Sequence, residues 1–166
     1  MFLDRSEDHD PKRAARRPLL AFIIVTLIVG AGASVFTEPA IPGWYAHLIH
    51  PSYAPPNWVF APVWTTLYVV MAIAAWRVWK QTGMNSPEII SYAVQLVLNF
   101  AWSGIFFALH RMDWALGEIL ALDLAILVTM LLFFRRDRLA GILFLPYLAW
   151  SLFATFLPYG FWQLNG

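Results

Sequence analysis

Three tryptophans, two amides and one acid lie deep inside apolar stretches of this chain, and they are the residues most able to do chemistry. Trp64, Trp102 and Trp150 fall in three separate stretches, with Gln95, Asn99 and Asp123 also set well inside theirs. An indole turned toward hydrocarbon would bury an unpaired N–H. Turned inward, the three rings would give flat apolar walls with a few donors, which suits a planar aromatic ligand. A solid ring-packed core without a cavity fits the same residues. Unpaired amides are costly in lipid, so Gln95 and Asn99 either tie helices together or address a ligand. An Asp at a helix centre costs about 2.5–3.5 kcal/mol on insertion scales. With no Lys or Arg at its depth, Asp123 is expected to be a neutral acid, either hydrogen-bonded to another helix or facing the cavity. Glu118 is expected to reach the interface.

Other chemistries are absent from the sequence. Cysteine does not occur, which excludes thiol nucleophiles, disulfides and Cys-based metal sites. Ser and Thr are present, but no intramembrane His stands ready to activate one. His47 and His50 are three residues apart with no carboxylate or thiol nearby, too few ligands for a metal. No Gly-rich phosphate loop and no candidate haem-ligand His within the helices occurs, and no cofactor is required. Nothing points to a nucleic-acid partner.

The elements that must position these residues are five apolar stretches, roughly Leu19 to Phe36, Trp58 to Trp79, Ile89 to Leu109, Trp114 to Phe134 and Leu139 to Trp162. Each approaches the ~20 residues a helix needs to cross a hydrocarbon core. Within lipid only helices satisfy their own backbone, so the expected fold is an all-α membrane bundle of five helices. Composition agrees: 60% of residues are hydrophobic and 13% charged, against about 25% charged in soluble domains. Residues 1–17 read as a polar amino-terminal arm, disordered or lying on headgroups, and residues 18–166 as one membrane domain. Alternating the helix ends puts ten of the eleven basic residues on one side and Arg111 alone on the other. The positive-inside rule then makes the amino terminus cytoplasmic in a cytoplasmic membrane. A bacterial membrane is expected, inner or outer. A signal-peptide reading, with cleavage near Gly30-Ala31-Gly32-Ala33-Ser34, would leave four helices.

Helical spacing assigns inward faces. Phe60, Trp64, Leu67 and Met71 form one, Gln95, Asn99, Trp102 and Phe106 a second, and Tyr147, Trp150 or Ser151, and Ala154 a third, with Pro146 placed to bend the last helix. The first connector holds Pro39, Pro42, Pro51, Pro55 and Pro56 among Trp44, Tyr45 and Tyr53. Rings supply area to pack and proline limits conformational entropy, so this segment is expected to be an ordered lid. Asn57 is the expected cap of the second helix. Trp44, Trp58, Trp76, Trp79, Trp114 and Trp162 suit the membrane interface. Gly30 with Ser34, and Gly104 with Ala108, permit close helix approach, within the chain or across a dimer.

Several of these residues form combined motifs. They are Trp44-Tyr45 with Pro51 and Pro55-Pro56, Trp58-x-Phe60-x-x-x-Trp64-x-x-Leu67-Tyr68, and Gln95-Leu96-x-x-Asn99-x-x-Trp102-Ser103-x-x-Phe106-Phe107. A last block, Pro146-Tyr147-x-x-Trp150-x-x-Phe153-Ala154-x-x-Leu157, precedes Asn165. From Trp44 to Asn165 the chain resembles the tryptophan-rich sensory protein (TspO) family, whose mitochondrial members are the translocator proteins or peripheral benzodiazepine receptors. The resemblance implies a five-helix, generally homodimeric bundle that binds porphyrins such as protoporphyrin IX. It also implies benzodiazepine-type and isoquinoline carboxamide ligands and, for some members, sterols. The family's pocket positions match Tyr45, Pro55, Phe60, Trp64, Asn99, Trp102, Ala149, Trp150 and Phe153 or Ala154. The inward faces add Gln95 and Tyr147 as candidate ligand contacts, and the deep acid Asp123 is another. Of the family's sterol motif, Leu157 and Tyr159 are present, but no Lys or Arg follows before Gly166.

The function expected is therefore a membrane receptor for porphyrins or other planar hydrophobic molecules, serving sensing, sequestration or transport. One alternative is light- and oxygen-dependent porphyrin degradation, in which Trp64 and Trp150 would act as electron or radical partners. Another is a transporter or channel. The odd helix count does not divide into the two halves of most secondary transporters.

Overall fold

The computed structural model describes residues 11–166, with side chains from Arg16 onward. Its helices are α1 (Pro11–Ala40), α2 (Phe60–Thr82), α3 (Pro87–Ser103), α4 (Met112–Arg136) and α5 (Arg138–Asn165), with α3 running on through a π-helical turn at Gly104–Ala108. All five are long and apolar enough to cross a membrane, and no strand occurs among the described residues. The expected all-α membrane bundle is what forms. The arm assigned to residues 1–17 lies outside the described residues up to position 10, and α1 is helical from Pro11.

Local chemistry sets the helix ends. Ser86 caps α3, its Oγ accepting the Ile89 N–H at 3.3 Å, with Pro87 at the first helical position. A single residue, Asp137, joins α4 to α5. One carboxylate oxygen accepts the N–H groups of Leu139 and Ala140 at 2.9 and 3.2 Å, and the other takes the Arg77 guanidinium of α2 at 2.7 Å. Beside it Arg136 pairs with the buried Glu88 at 2.6 Å. Charge at this basic end therefore ties α2, α3, α4 and α5 together. Asn57 does not cap α2 with its side chain as expected. A 3-10 turn, Asn57–Val59, leads into the helix instead, and the Asn57 carbonyl accepts the Phe60 N–H.

The core has two parts. In the basic half Met71, Ala74, Ala75 and Val78 of α2 pack against Tyr92, Phe133 and Phe144. At the opposite end Tyr45, Phe106, Met112, Leu157 and Phe161 form a second cluster beneath the first connector. α1 is peripheral: 11% of its apolar window is buried, against 33–39% in the other four helices. It makes close contacts where its residues are smallest. A Cβ at Gly30 would fall inside the Tyr68 ring of α2, so this close approach is used within the chain. The strip at Gly104 is also used internally, since Phe36 of α1 sits 3.8 Å from where its Cβ would be. Gly104 is half-buried there, while Ala108 one turn on is exposed.

The connector between α1 and α2 is ordered, and its contacts explain why. The Asn165 amide of α5 accepts the Ile49 N–H at 2.8 Å and donates to the Ile49 carbonyl at 3.0 Å. The Tyr53 hydroxyl donates to the Phe156 carbonyl at 2.8 Å. Pro51 and Tyr53 occupy the space a side chain at Gly160 would need. The lid is thereby pinned to α5. His47 and His50 serve the lid's own backbone, facing the Gly43 and Tyr45 carbonyls at 2.6 and 3.2 Å. No cluster of three His, Cys, Asp or Glu occurs among the described residues.

Candidate functional site

Beneath the lid the helices diverge around a partly open cavity of about 500 Å³, within the ~300–1,000 Å³ range of small-molecule sites. The lid contributes Tyr45, whose hydroxyl burial pushes above its ordinary pKa. From α2 come Phe60, Trp64 and Tyr68, and from α3 with its π turn come Asn99, Trp102, Ser103, Phe106 and Phe107. α5 supplies Ser151, Ala154, Leu157 and Phe161, while α1 supplies a stripe of mostly small residues, among them Gly30, Ala33, Ser34 and Thr37. The rise from Phe60 to Tyr68 is about 12 Å at 1.5 Å per residue, so the cavity reaches toward the middle of a bilayer core about 30 Å thick.

The ring geometry leaves flat faces. Trp102 stacks on Phe106 at 5.2 Å with an interplanar angle of 8°, fixing the indole by its neighbour. Trp64 meets Tyr147 edge-on at 6.1 Å and lies tilted against Tyr68 at 5.6 Å. These contacts hold the rings in place without filling the space between α2 and α3.

The floor is a hydrogen-bonded relay through three helices. The Tyr68 hydroxyl donates to Asn99 Oδ1 at 2.6 Å, Asn99 Nδ2 donates to the Tyr147 hydroxyl at 3.1 Å, and Tyr147 donates to Gln95 Oε1 at 2.9 Å. Gln95 and Tyr147 are fully enclosed, whereas Asn99 and Tyr68 also border the cavity. The two amides on the sequence-assigned face thus differ in use. Gln95 ties helices together, and Asn99 does that while presenting a polar edge upward. Two further wall groups, Trp102 Nε1 and Ser151 Oγ, are buried with no partner within the protein. Buried polar groups are nearly always paired in native proteins, so orphans in a cavity wall mark places where a ligand can be addressed.

Of the residues singled out in the sequence, Tyr45, Phe60, Trp64, Asn99, Trp102 and Ala154 meet in this wall. Others stand elsewhere. Trp150 is turned behind the wall, touching it through Phe60 edge-on at 6.0 Å. Phe153 packs on Trp150, Ala149 is exposed, and Pro55 is half-buried in the lid. Asp123 lies midway along α4 against α5, where Oδ2 accepts the Thr155 hydroxyl at 2.7 Å. Glu118, half-buried beside the buried stripe of Ala115, Ile119 and Leu122, has both carboxyl oxygens buried without a partner among the described residues. The sequence reading left Trp150 and Ser151 as alternatives on the face with Tyr147 and Ala154, and it is Ser151 that lines the cavity. It did not place Phe161 or the α1 stripe in the wall.

Similarity to known proteins follows the same boundaries. The model of the TspO/MBR family matches residues 22–163. The chain is 37% identical over 148 residues to the tryptophan-rich protein TspO of Archaeoglobus fulgidus, covering 89% of this chain and 96% of that protein. It is 37% identical over 145 residues to the tryptophan-rich sensory protein of Cereibacter sphaeroides, covering 86% and 91%. With the human translocator protein it shares 41% identity over 126 residues, 74% and 75% of the two chains. The matched region takes in α2, α3 and α4 whole, most of α1 and α5, and the lid and cavity between them, and the chain belongs to the TspO/MBR family.

Proposed function

We propose that this protein is a membrane-embedded receptor for porphyrins of the protoporphyrin IX type and for similar planar hydrophobic molecules. The observation that carries this reading is the cavity itself. It offers about 500 Å³ between the indoles of Trp64 and Trp102, under Tyr45 and above the Tyr68–Asn99 floor. Aromatic walls favour a flat π-system, each stack contributing about 0.5–1.5 kcal/mol beyond area burial. Asn99, Trp102 Nε1 and Ser151 Oγ give a small polar set to orient it. Names among the relatives, a sensory protein and a translocator, fit a protein that holds a small molecule for signalling or transfer. With the basic end on the cytoplasmic side of a cytoplasmic membrane, the cavity lies in the opposite leaflet.

The test is quenching of tryptophan emission by protoporphyrin IX in purified protein held in lipid nanodiscs. Replacing Trp64 and Trp102 together by Leu removes two ring contacts, an expected loss of roughly 1–3 kcal/mol, or about 5- to 150-fold in affinity. Trp150→Leu, behind the wall, is expected to change affinity less than threefold. Equal affinity in the double variant and the unaltered protein would remove this site from consideration.

A further inference from the structure

The cavity wall contains no Lys, Arg or His among the described residues, and its one carboxylate is Glu38. His50 packs against two wall residues, Tyr45 and Phe161, but is not itself in the wall. Glu38 is exposed at the lid end of α1, in the last turn of that helix, which has no basic residue. A helix carboxyl terminus carries about half a negative charge. The acid and the helix end therefore place negative potential at the same lip of the cavity. Across the mouth the 3-10 turn that leads into α2 brings Asn57 to the wall. It is the one feature there that favours an anion, and the Glu38 charge opposes it.

A carboxylate buried in such a wall would have no cationic partner, and burying an unpaired charge costs far more than a ring stack returns. We propose that the cavity discriminates by ligand charge. It accepts the neutral, apolar body of a planar ligand, holds any carboxylates at the mouth, and uses Glu38 to disfavour dianionic ligands relative to neutral ones. The proposal rests on the porphyrin reading and adds the electrostatic selection that this mouth imposes.

The experiment compares protoporphyrin IX, a dicarboxylate, with its neutral dimethyl ester. Both are titrated into the protein in uncharged nanodiscs, unaltered and as Glu38→Gln and Glu38→Lys, at low and high salt. Because each ligand is compared with itself across variants, its partitioning into lipid cancels. A unit charge screened through interfacial water at 6–8 Å corresponds to roughly a threefold change in affinity. E38Q is thus expected to tighten the diacid about threefold and E38K about tenfold, both gains shrinking at high salt, with the ester unchanged within twofold. A diacid affinity that is unchanged or weaker in E38Q and E38K overturns the proposal while leaving the receptor reading intact. If neither porphyrin binds the unaltered protein, both fall together.

Discussion

Tyr147 is the one hydroxyl on which two of the deep amides depend, and its removal isolates the worth of the floor. Tyr147→Phe keeps the ring, its edge contact with Trp64 at 6.1 Å and its packing on Phe144 at 5.9 Å. It deletes both the acceptor for Asn99 Nδ2 and the donor to Gln95 Oε1. Gln95 would keep only its amide contact to Met71 Sδ at 3.9 Å. Leaving two buried groups unpaired costs about 1–3 kcal/mol each in soluble proteins, whereas interhelical hydrogen bonds in membrane proteins average nearer 0.6 kcal/mol. Gln95 is fully enclosed, so a new partner there requires helix movement and the soluble figure governs, whereas Asn99 borders the cavity and takes the membrane figure. Together about 2–4 kcal/mol is expected. At about 2–4 °C per kcal/mol for a chain of this size, the midpoint should fall roughly 5–15 °C. Tyr68→Phe removes a single bond, the one to Asn99 Oδ1, and should cost less than half as much. The assay is thermal unfolding in one detergent, followed by helical signal. A Y147F midpoint within 2 °C of the unaltered protein, or a larger drop in Y68F than in Y147F, would refute the claim that the relay holds the floor together.

Two further outcomes are expected from neighbouring features. Ser151→Ala deletes a hydroxyl that is buried in the cavity wall without a partner, so the folded protein should be unchanged or up to about 1 kcal/mol more stable. Its porphyrin affinity should fall roughly threefold to tenfold, the loss of one ligand hydrogen bond; an unchanged affinity by tryptophan quenching would remove Ser151 from the polar set. Asn165→Ala removes both bonds to Ile49, and exchange of the Ile49 amide should accelerate about tenfold while the helix cores keep their protection. Ile49 exchange that stays slow in that variant would mean that Tyr53 and Pro51 alone hold the lid.

Much of this architecture was legible because lipid leaves few choices. Apolar runs of this length can only be helices, and the proline- and ring-rich connector had the composition of an ordered segment, which Asn165, Tyr53 and Gly160 then pin. Helix faces were legible less sharply. Residues 150 and 151 differ by one position, about 100° of rotation, and either completes a face with Tyr147 and Ala154. Only the packed bundle decides that Ser151 looks into the cavity and Trp150 lies against Phe60 and Phe153. Polar residues posed a different difficulty. Gln95, Asn99 and Asp123 all announce a partner, but whether that partner is Tyr147, Tyr68 or Thr155 depends on helix register across the bundle. The α1 stripe carried no chemical signal, since Gly30 and Ser34 read as close helix packing, within the chain before a dimer, and not as a ligand wall.

The two ends of the cavity are closed by different forces, and that difference sets where a ligand passes. At the floor the relay joins α2, α3 and α5 through buried groups, and below it lies the solid core of Met71, Tyr92, Phe133 and Phe144. Opening that end would strip several buried hydrogen bonds at once. At the lid the polar ties through Ile49, Asn165 and Tyr53 are exposed to the interface, where water replaces a broken bond and the net cost of each is about 0.5–1.5 kcal/mol. What resists there is ring packing, Tyr45 on Phe107 and Phe161 at 5.8 and 5.2 Å. α1 adds little resistance, since it is the least buried of the five helices and faces the cavity with small side chains. The yielding boundary is therefore the lid together with the lid half of α1, the same region that carries Glu38. A ligand crossing there meets its charge selection before it reaches the indoles, which puts discrimination ahead of binding.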